Sequence, residues 1–255
     1  MIVGFAGSGN IAAAMARGWS AGDGGPELML FSDSGSGRAA SLAAEVGGEA
    51  LESNAELAER ADLLLLAMKP NALEAVAAQT QDARAVLSLL GPTSLARVAD
   101  AYPSATVLRM IPNVAVELRR GVLVFTAAPG APADLVAAVR DDLELLGRVV
   151  DLDDALFDPA TSLMGCAPAW VALVMEAIAE AGVAEGLGQE LAHSLVVDAT
   201  AGTAELLQDR HPADLRNAVA SPGGSTEAGL AVLEEEGVVE AFEKAVRASL
   251  GRTRE

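Results

Sequence analysis

Through the first 150 residues, short runs of apolar residues alternate with longer stretches whose apolar positions return every three or four residues. The runs Ile2–Ala6, Glu27–Ser32, Leu63–Met68, Ala85–Leu90, Thr106–Met110, Val122–Thr126 and Arg148–Val150 predict strands. Leu63–Met68 has no polar alternation, which predicts a strand buried on both faces, as in a parallel sheet covered by helices. The stretches Ile11–Ser20, Arg38–Val46, Asn71–Gln79 and Ala133–Leu146 predict helices between the strands. This alternation predicts an α/β fold, a doubly wound sheet with right-handed crossovers.

After Asp151 the strand signal stops. Pro168–Val183 and Glu190–Gln208 predict long helices, followed by shorter ones over Ala213–Val219, Thr226–Glu236 and Val239–Leu250. In the first long helix Val171, Val174, Met175, Ile178 and Gly182 mark one face. Ala172, Leu173, Ala177 and Ala181 make the others apolar too. The second, with Leu191, Leu195, Val196, Val197 and Leu206, is again apolar most of the way round. A helix apolar on nearly all sides must be buried on nearly all sides. About 100 residues of helix can hardly bury themselves, so a second copy of the chain is expected to cover them, as a homodimer or larger homo-oligomer. Cover by the first domain is the alternative. The boundary is expected at Asp151–Asp154, giving an α/β domain over 1–152 and an all-helical dimerisation domain over 153–255.

Composition narrows the function classes. The 255 residues carry 17 Lys and Arg against 36 Asp and Glu, a net charge of −19. Such a surface repels phosphate backbones, so nucleic acid is not an expected partner. No apolar run approaches the ~20 residues of a membrane span. The start, Met1-Ile2-Val3, has no basic region of a secretory signal. One cysteine, Cys166, excludes an intrachain disulfide framework and the common cysteine-rich zinc sites. A reducing, cytoplasmic setting and no metal are expected. From Asp154 to Asp209 there are nine acids and no Lys or Arg. An anion bound there must be held by backbone N–H groups, hydroxyls or a helix N-terminus.

Gly7-Ser8-Gly9-Asn10-Ile11-Ala12 follows the first strand and opens an alanine-rich helix. This is G-x-G-x-x-A in the strand–turn–helix setting of the dinucleotide fingerprint, a Rossmann-type feature. Gly7 permits the tight turn, Gly9 lets the backbone approach a pyrophosphate, and the helix start offers free N–H groups. The second strand ends at Phe31-Ser32-Asp33-Ser34-Gly35-Ser36-Gly37-Arg38. Asp33 suits the ribose 2′-OH of NAD, whereas Ser32, Ser34 and Arg38 suit the 2′-phosphate of NADP. Asp33 or Ser36 as a mere turn residue or helix cap is the third reading. All three stay open at this point.

Gly4–Ala12 resembles the start of the pyrroline-5-carboxylate reductases, and Ala67-Met68-Lys69-Pro70 resembles that family's A-V-K-P segment. Asn54 sits where the family has a cofactor-contacting Asn. Arg109 with Pro112-Asn113 resembles its R-x-M-P-N stretch. Val219-Ala220-Ser221-Pro222-Gly223-Gly224-Ser225-Thr226-Glu227-Ala228-Gly229-Leu230 is similar to its V-x-S-P-G-G-T-T-x-x-G-L signature. The resemblance runs from residue 4 to about 250. It implies reduction of the cyclic imine 1-pyrroline-5-carboxylate to L-proline with NADP (or NAD), and a helical domain that interlocks with a partner's. The glycine turn and the strand-2 end give Gly7, Ser8, Gly9, Asn10, Ile11, Ser32 and Asp33 as candidate cofactor contacts, and the resemblance adds Asn54, Ala67, Met68, Lys69 and Pro70, with Lys69 as a solvated helix-start residue the alternative. The chain departs from the family's S-G-S-G-P-A-Y at Met164-Gly165-Cys166-Ala167-Pro168-Ala169-Trp170, which removes hydroxyls and adds bulk. A different cyclic imine acid, or a catalytically inactive dinucleotide-binding dimer, are the alternatives. A β-hydroxyacid dehydrogenase is disfavoured, because no Lys lies between Lys69 and Lys244.

Imine reduction needs the substrate carboxylate held and the nitrogen protonated. Ser221, Gly223, Gly224, Ser225 and Thr226 are the candidate carboxylate seat. Two glycines before a helix let N–H groups converge on an anion, and the hydroxyls add donors. The competing reading is a tight turn with an N-cap at Ser225 or Thr226. Thr226 is the candidate catalytic residue, as a hydrogen-bond donor to the imine nitrogen or a relay from water. Cys166 reads as a packed residue, and His193 and His211 as surface or capping residues.

Overall fold

The computed structural model describes residues 1–253 and divides them into two compact units. The first comprises Met1–Cys166 with residues 250–253. Its centre is an eight-stranded sheet of β1 (Ile2–Ala6), β2 (Leu28–Ser32), β3 (Glu49–Ala50), β4 (Leu63–Leu66), β5 (Ala85–Ser88), β6 (Thr106–Pro112), β7 (Gly121–Ala127) and β8 (Gly147–Asp151). The spatial order is β3-β2-β1-β4-β5-β6-β7-β8. From β1 the chain winds outward to β3, then crosses back to place β4 on the other side of β1.

Both faces of this sheet are covered. On one, Phe5, Phe31, Leu63, Leu65 and Leu87 pack with Met15 and Trp19 of α1 (Asn10–Ser20), Leu42 of α2 (Arg38–Val46) and Val139 of α6 (Ala133–Glu144). On the other, Leu64, Leu66 and Val86 pack with Leu57 of α3 (Asn54–Arg60), Leu73 and Val76 of α4 (Leu73–Gln79) and Val98 of α5 (Leu95–Ala101). Successive leucines of β4 therefore enter opposite cores, which is why that strand carries no polar residue.

Several expectations are refined. β6 and β7 pair antiparallel, unlike every other neighbour in the sheet. Only residues 113–120 join them, too few for a crossover helix. The stretch Asn71–Gln79 divides into a 3-10 turn, Pro70–Ala72, and α4. α3, α5, β3 and α7 (Phe157–Met164) were not foreseen. The strand run ends at Asp151, but α7 still belongs to the first unit. Its Phe157 is fully buried against Ile111 and Val124.

The second unit, Ala167–Ser249, is all helix. α8 (Ala167–Ala184) and α9 (Gln189–Leu206) pack as a hairpin turned at Gly186, whose φ of +100° suits glycine. α10 (Pro212–Val219), α11 (Ser225–Glu235) and α12 (Val238–Thr253) follow. Of α8 and α9 only Ala179 and Ala192 are buried, whereas Leu173, Ile178, Leu191 and Leu195 are exposed in the single chain. The helical stretch Asp154–Ala184 also reaches the length and mean hydropathy of a membrane span, contrary to the run-length expectation. Scattered Ala and Val raise its average without a continuous apolar run.

Candidate active site

The crevice where the chain reverses direction lies between β1 and β4, beyond their carboxyl ends, the usual ligand position in open α/β sheets. Two segments form its walls. Gly7 donates its N–H to Ser32 O at 3.0 Å, and Ala67 donates to Ala6 O at 2.9 Å. Gly7 has φ +105°, and a Cβ there would lie 2.8 Å from Ala67 C and Met68 N. The turn thus requires glycine for both conformation and space. Gly9 ends extended and N-caps α1 without a side-chain cap. The first N–H groups of α1, from Asn10 and Ile11, have no intrahelical acceptor and carry the positive end of the helix dipole.

The cleft encloses about 1020 Å³ and brings together Gly7, Ser8, Gly9, Asp33, Asn54, Ala67, Met68 and Lys69. Its volume and glycine turn fit a dinucleotide. Ser32 is buried beneath it and donates its hydroxyl to Asn54 Oδ1, while Asn54 Nδ2 donates to Gln79 Oε1 at 2.7 Å. Asn54 is thereby fixed at the start of α3, whose cap is Ser53 accepting from Glu56 N at 3.1 Å. Pro70 opens the 3-10 turn and leaves Lys69 extended and exposed at the strand end. Asn10 is exposed at the helix start and Ile11 is partly covered by the core.

Asp33 is engaged within its own loop. Its Oδ1 accepts from Gly35 N at 2.7 Å and Ser36 N at 3.0 Å, and its Oδ2 from Ser36 Oγ at 2.8 Å and Ala39 N at 2.9 Å. The Ala39 N–H, with the Ser36 hydroxyl and the two loop N–H groups, outweighs desolvation and holds this carboxyl at about 2. Asp33 thus organises the turn and meets the start of α2 through Ala39 N, while the N-cap position itself is Gly37.

Arg109, on β6, is 3% exposed. Its Nη1 meets Asp154 Oδ1 at 2.6 Å, its Nη2 donates to Gly91 O at 2.6 Å, and the Phe157 ring lies 4.5 Å from its Cζ. Asp154 also accepts from Leu95 N, at the start of α5. This cluster ties the loop after β5 to the segment leading into the helices. Asn113 supports the same junction, donating to Met164 O at 3.2 Å and accepting from Val122 N at 3.2 Å.

In the second unit, Gly223 has φ +72° and Gly224 donates to Ser221 O at 2.9 Å. Gly224 is the N-cap of α11, so Ser225 and Thr226 occupy its first two helical positions rather than the cap expected of one or the other. A feature missed in the sequence is Glu227, whose Oε2 accepts from Gly223 N at 2.7 Å. A glutamate at the third helical position reaching back to the turn is a capping-box signal. His211 caps α10, its Nδ1 accepting from Ala213 N at 3.2 Å. Among the described residues no group of three or more His, Cys, Asp or Glu could hold a metal.

Sheet, switch-point cleft and glycine turn define a Rossmann-type dinucleotide-binding protein carrying a helical second unit. Residues 2–92 match the family described as NADP oxidoreductase coenzyme F420-dependent, and residues 154–255 match pyrroline-5-carboxylate reductase dimerisation. A pyrroline-5-carboxylate reductase of Synechocystis sp. is 36% identical over 207 residues, covering 79% of this chain and 78% of the relative. One of Methanosarcina acetivorans is 32% identical, covering 99% and 97%. The crystal structure of the Streptococcus pyogenes 1-pyrroline-5-carboxylate reductase superposes with a TM-score of 0.92 at 28% identity, covering 100% and 98%. The chain belongs to the pyrroline-5-carboxylate reductase family.

Proposed function

We propose that this protein reduces 1-pyrroline-5-carboxylate to L-proline with NADPH and works as a homo-oligomer. The observation that carries this is identity of 32–36% to reductases of that activity over most or all of the chain. The dimerisation model over residues 154–255 supports the oligomer. So do the exposed Leu173, Ile178, Leu191 and Leu195, which a second copy would cover. A partner chain fits the long helical stretch better than a bilayer does. Glu176 and Glu180 line the groove between α8 and α9, and carboxylates inside a membrane cost several kcal/mol.

Each residue then has a task. Gly9, Asn10 and Ile11 present backbone N–H groups to the pyrophosphate, and Gly7, its own N–H held by Ser32 O, makes the turn that brings them there. Ser8, Ser32, Asn54, Ala67, Met68, Lys69 and Pro70 shape the rest of the dinucleotide cleft. When bound, the cofactor supplies the hydride that is added to the imine carbon. Ser225 and the first N–H groups of α11, with the Ser221 hydroxyl, hold the substrate carboxylate, while Gly223 and Gly224 shape the turn, their own N–H groups being engaged by Glu227 Oε2 and Ser221 O. Thr226 donates a hydrogen bond to the imine nitrogen and relays to it a proton from water, so that the nitrogen gains the proton that water loses as the C=N bond becomes an amine. Orientation of the ring by its carboxylate contributes several kcal/mol to the rate.

The test is a substrate panel with NADPH: 1-pyrroline-5-carboxylate, the six-membered cyclic imine acid, and 1-pyrroline without a carboxylate. The five-membered acid should be reduced with the highest kcat/KM and the unsubstituted ring poorly. Equal rates with and without the carboxylate would remove the seat at Ser221–Thr226 from the mechanism.

A further inference from the structure

Asp33 and Arg38 stand five residues apart in the loop after β2, where an acid ordinarily accepts the 2′-OH of NAD and an arginine ordinarily accommodates the 2′-phosphate of NADP. A carboxylate has about four lone-pair positions. In Asp33 all four are filled from within the chain, by Gly35 N, Ser36 N, Ser36 Oγ and Ala39 N. No acceptor position is left for a ribose hydroxyl. The Ser36 hydroxyl spends its proton on Asp33, so it has none to give a phosphate.

Arg38 is in the opposite condition. It lines the cleft, as does Ser34, and among the described residues no carboxylate lies within ion-pair distance of its guanidinium. Arg17, the other arginine near the turn, is already neutralised by Glu45 and Glu117. The loop that presents Arg38 passes through Gly35 at φ +88° and Gly37 at φ +76°, and four bonds to Asp33 close it, with Arg38 N adding one to Ser36 Oγ at 3.4 Å. The N-terminus of α2, through Ala39 N, faces the Asp33 charge and offsets it.

We propose that Asp33 is a positioning residue for NADP selectivity: it fastens the Ser34–Arg38 turn so that Arg38 and Ser34 meet a 2′-phosphate, and it makes no bond to the cofactor itself. The inference rests on the cleft being the dinucleotide site. It also opposes the usual meaning of an acid at this position, and the two meanings predict opposite signs for one variant. If Asp33 held the ribose, Asp33→Ala would weaken the unphosphorylated nucleotide and relieve repulsion of the phosphorylated one. If it fastens the loop, Asp33→Ala loses the phosphate seat.

The experiment measures the affinities of AMP and adenosine 2′,5′-bisphosphate for the full-length protein by calorimetry. Wild type should prefer the bisphosphate by about tenfold or more, the worth of a charge-assisted pair. Arg38→Ala and Asp33→Ala should each cut that preference to about threefold or less, with far-ultraviolet circular dichroism confirming the fold. Asp33→Asn, which keeps one carbonyl acceptor, should fall between and serves if the alanine variant does not fold. A larger preference in Asp33→Ala than in wild type, or no preference in wild type, would overturn the proposal. NADPH and NADH oxidation with 1-pyrroline-5-carboxylate is followed in parallel. Wild type inert toward the imine but selective for the bisphosphate would refute the reaction and support this inference; turnover with an unselective cleft would do the reverse.

Discussion

Removing Asp154 should destabilise the first unit far more than removing a surface acid. Arg109 is 3% exposed and Asp154 has 29% of its side chain exposed, so the Asp154→Ala variant leaves a buried guanidinium with only Gly91 O and the Phe157 ring. Its Nε already has no partner. The Leu95 N–H loses its acceptor as well. Breaking a buried pair from one side costs about 3–5 kcal/mol. Water reaches the vacated Asp154 position, which brings the expectation to about 2–3 kcal/mol. For a protein of this size that corresponds to a fall in Tm of roughly 5–10 °C. The assay is thermal unfolding at fixed protein concentration, since assembly shifts Tm. Glu74→Ala is the control. Its partner Arg97 and Glu74 itself are 58% and 64% exposed, so that loss should stay under about 1 kcal/mol. Arg109→Met combined with Asp154→Leu should recover part of the loss, because no charge is left buried. Equal losses for Asp154→Ala and Glu74→Ala would refute the reasoning.

Other changes follow from the same geometry. Gly7→Ala forces a Cβ to within 2.8 Å of the Ala67–Met68 peptide; cofactor affinity measured by fluorescence titration should fall by about tenfold or more, at a cost of the 1–3 kcal/mol typical of such strain. Thr226→Ala should lower kcat by at least about tenfold while the KM for NADPH changes less than about twofold, since one hydrogen bond to the reacting nitrogen is lost; unchanged kcat removes Thr226 from the reaction. Glu227→Gln keeps an acceptor for Gly223 N but removes a negative charge beside the carboxylate seat, so steady-state kinetics should show the KM for the imine acid falling about two- to fivefold. A higher KM would mean that the charge supports the loop.

The cofactor half was legible because its signals are local. Gly7 must be glycine, the strand before it is continuously apolar, and β4 advertises burial on both faces with four leucines. α3 and α5 escaped because seven residues span barely two turns, too few for a helical period to emerge. Their caps were nonetheless written in the sequence: Ser53 lies three residues before Glu56, and Ser94 three before Arg97, which it caps at 3.2 Å. The antiparallel β6–β7 pair was also foreshadowed, by the shortness of the 113–120 connection. Asp33 was ambiguous for a physical reason. A carboxylate at a strand end serves a ribose or a loop equally well, and only the position of four neighbouring donors decides. Arg109 and Asp154 are 45 residues apart, so nothing local in the chain announces their pairing.

The most direct test of the account is NADPH consumption by the purified protein on addition of 1-pyrroline-5-carboxylate, with the amino acid product quantified by chiral chromatography. One L-proline should form for each NADPH oxidised. No oxidation of NADPH by a protein that still binds it, or oxidation without proline, would contradict the account.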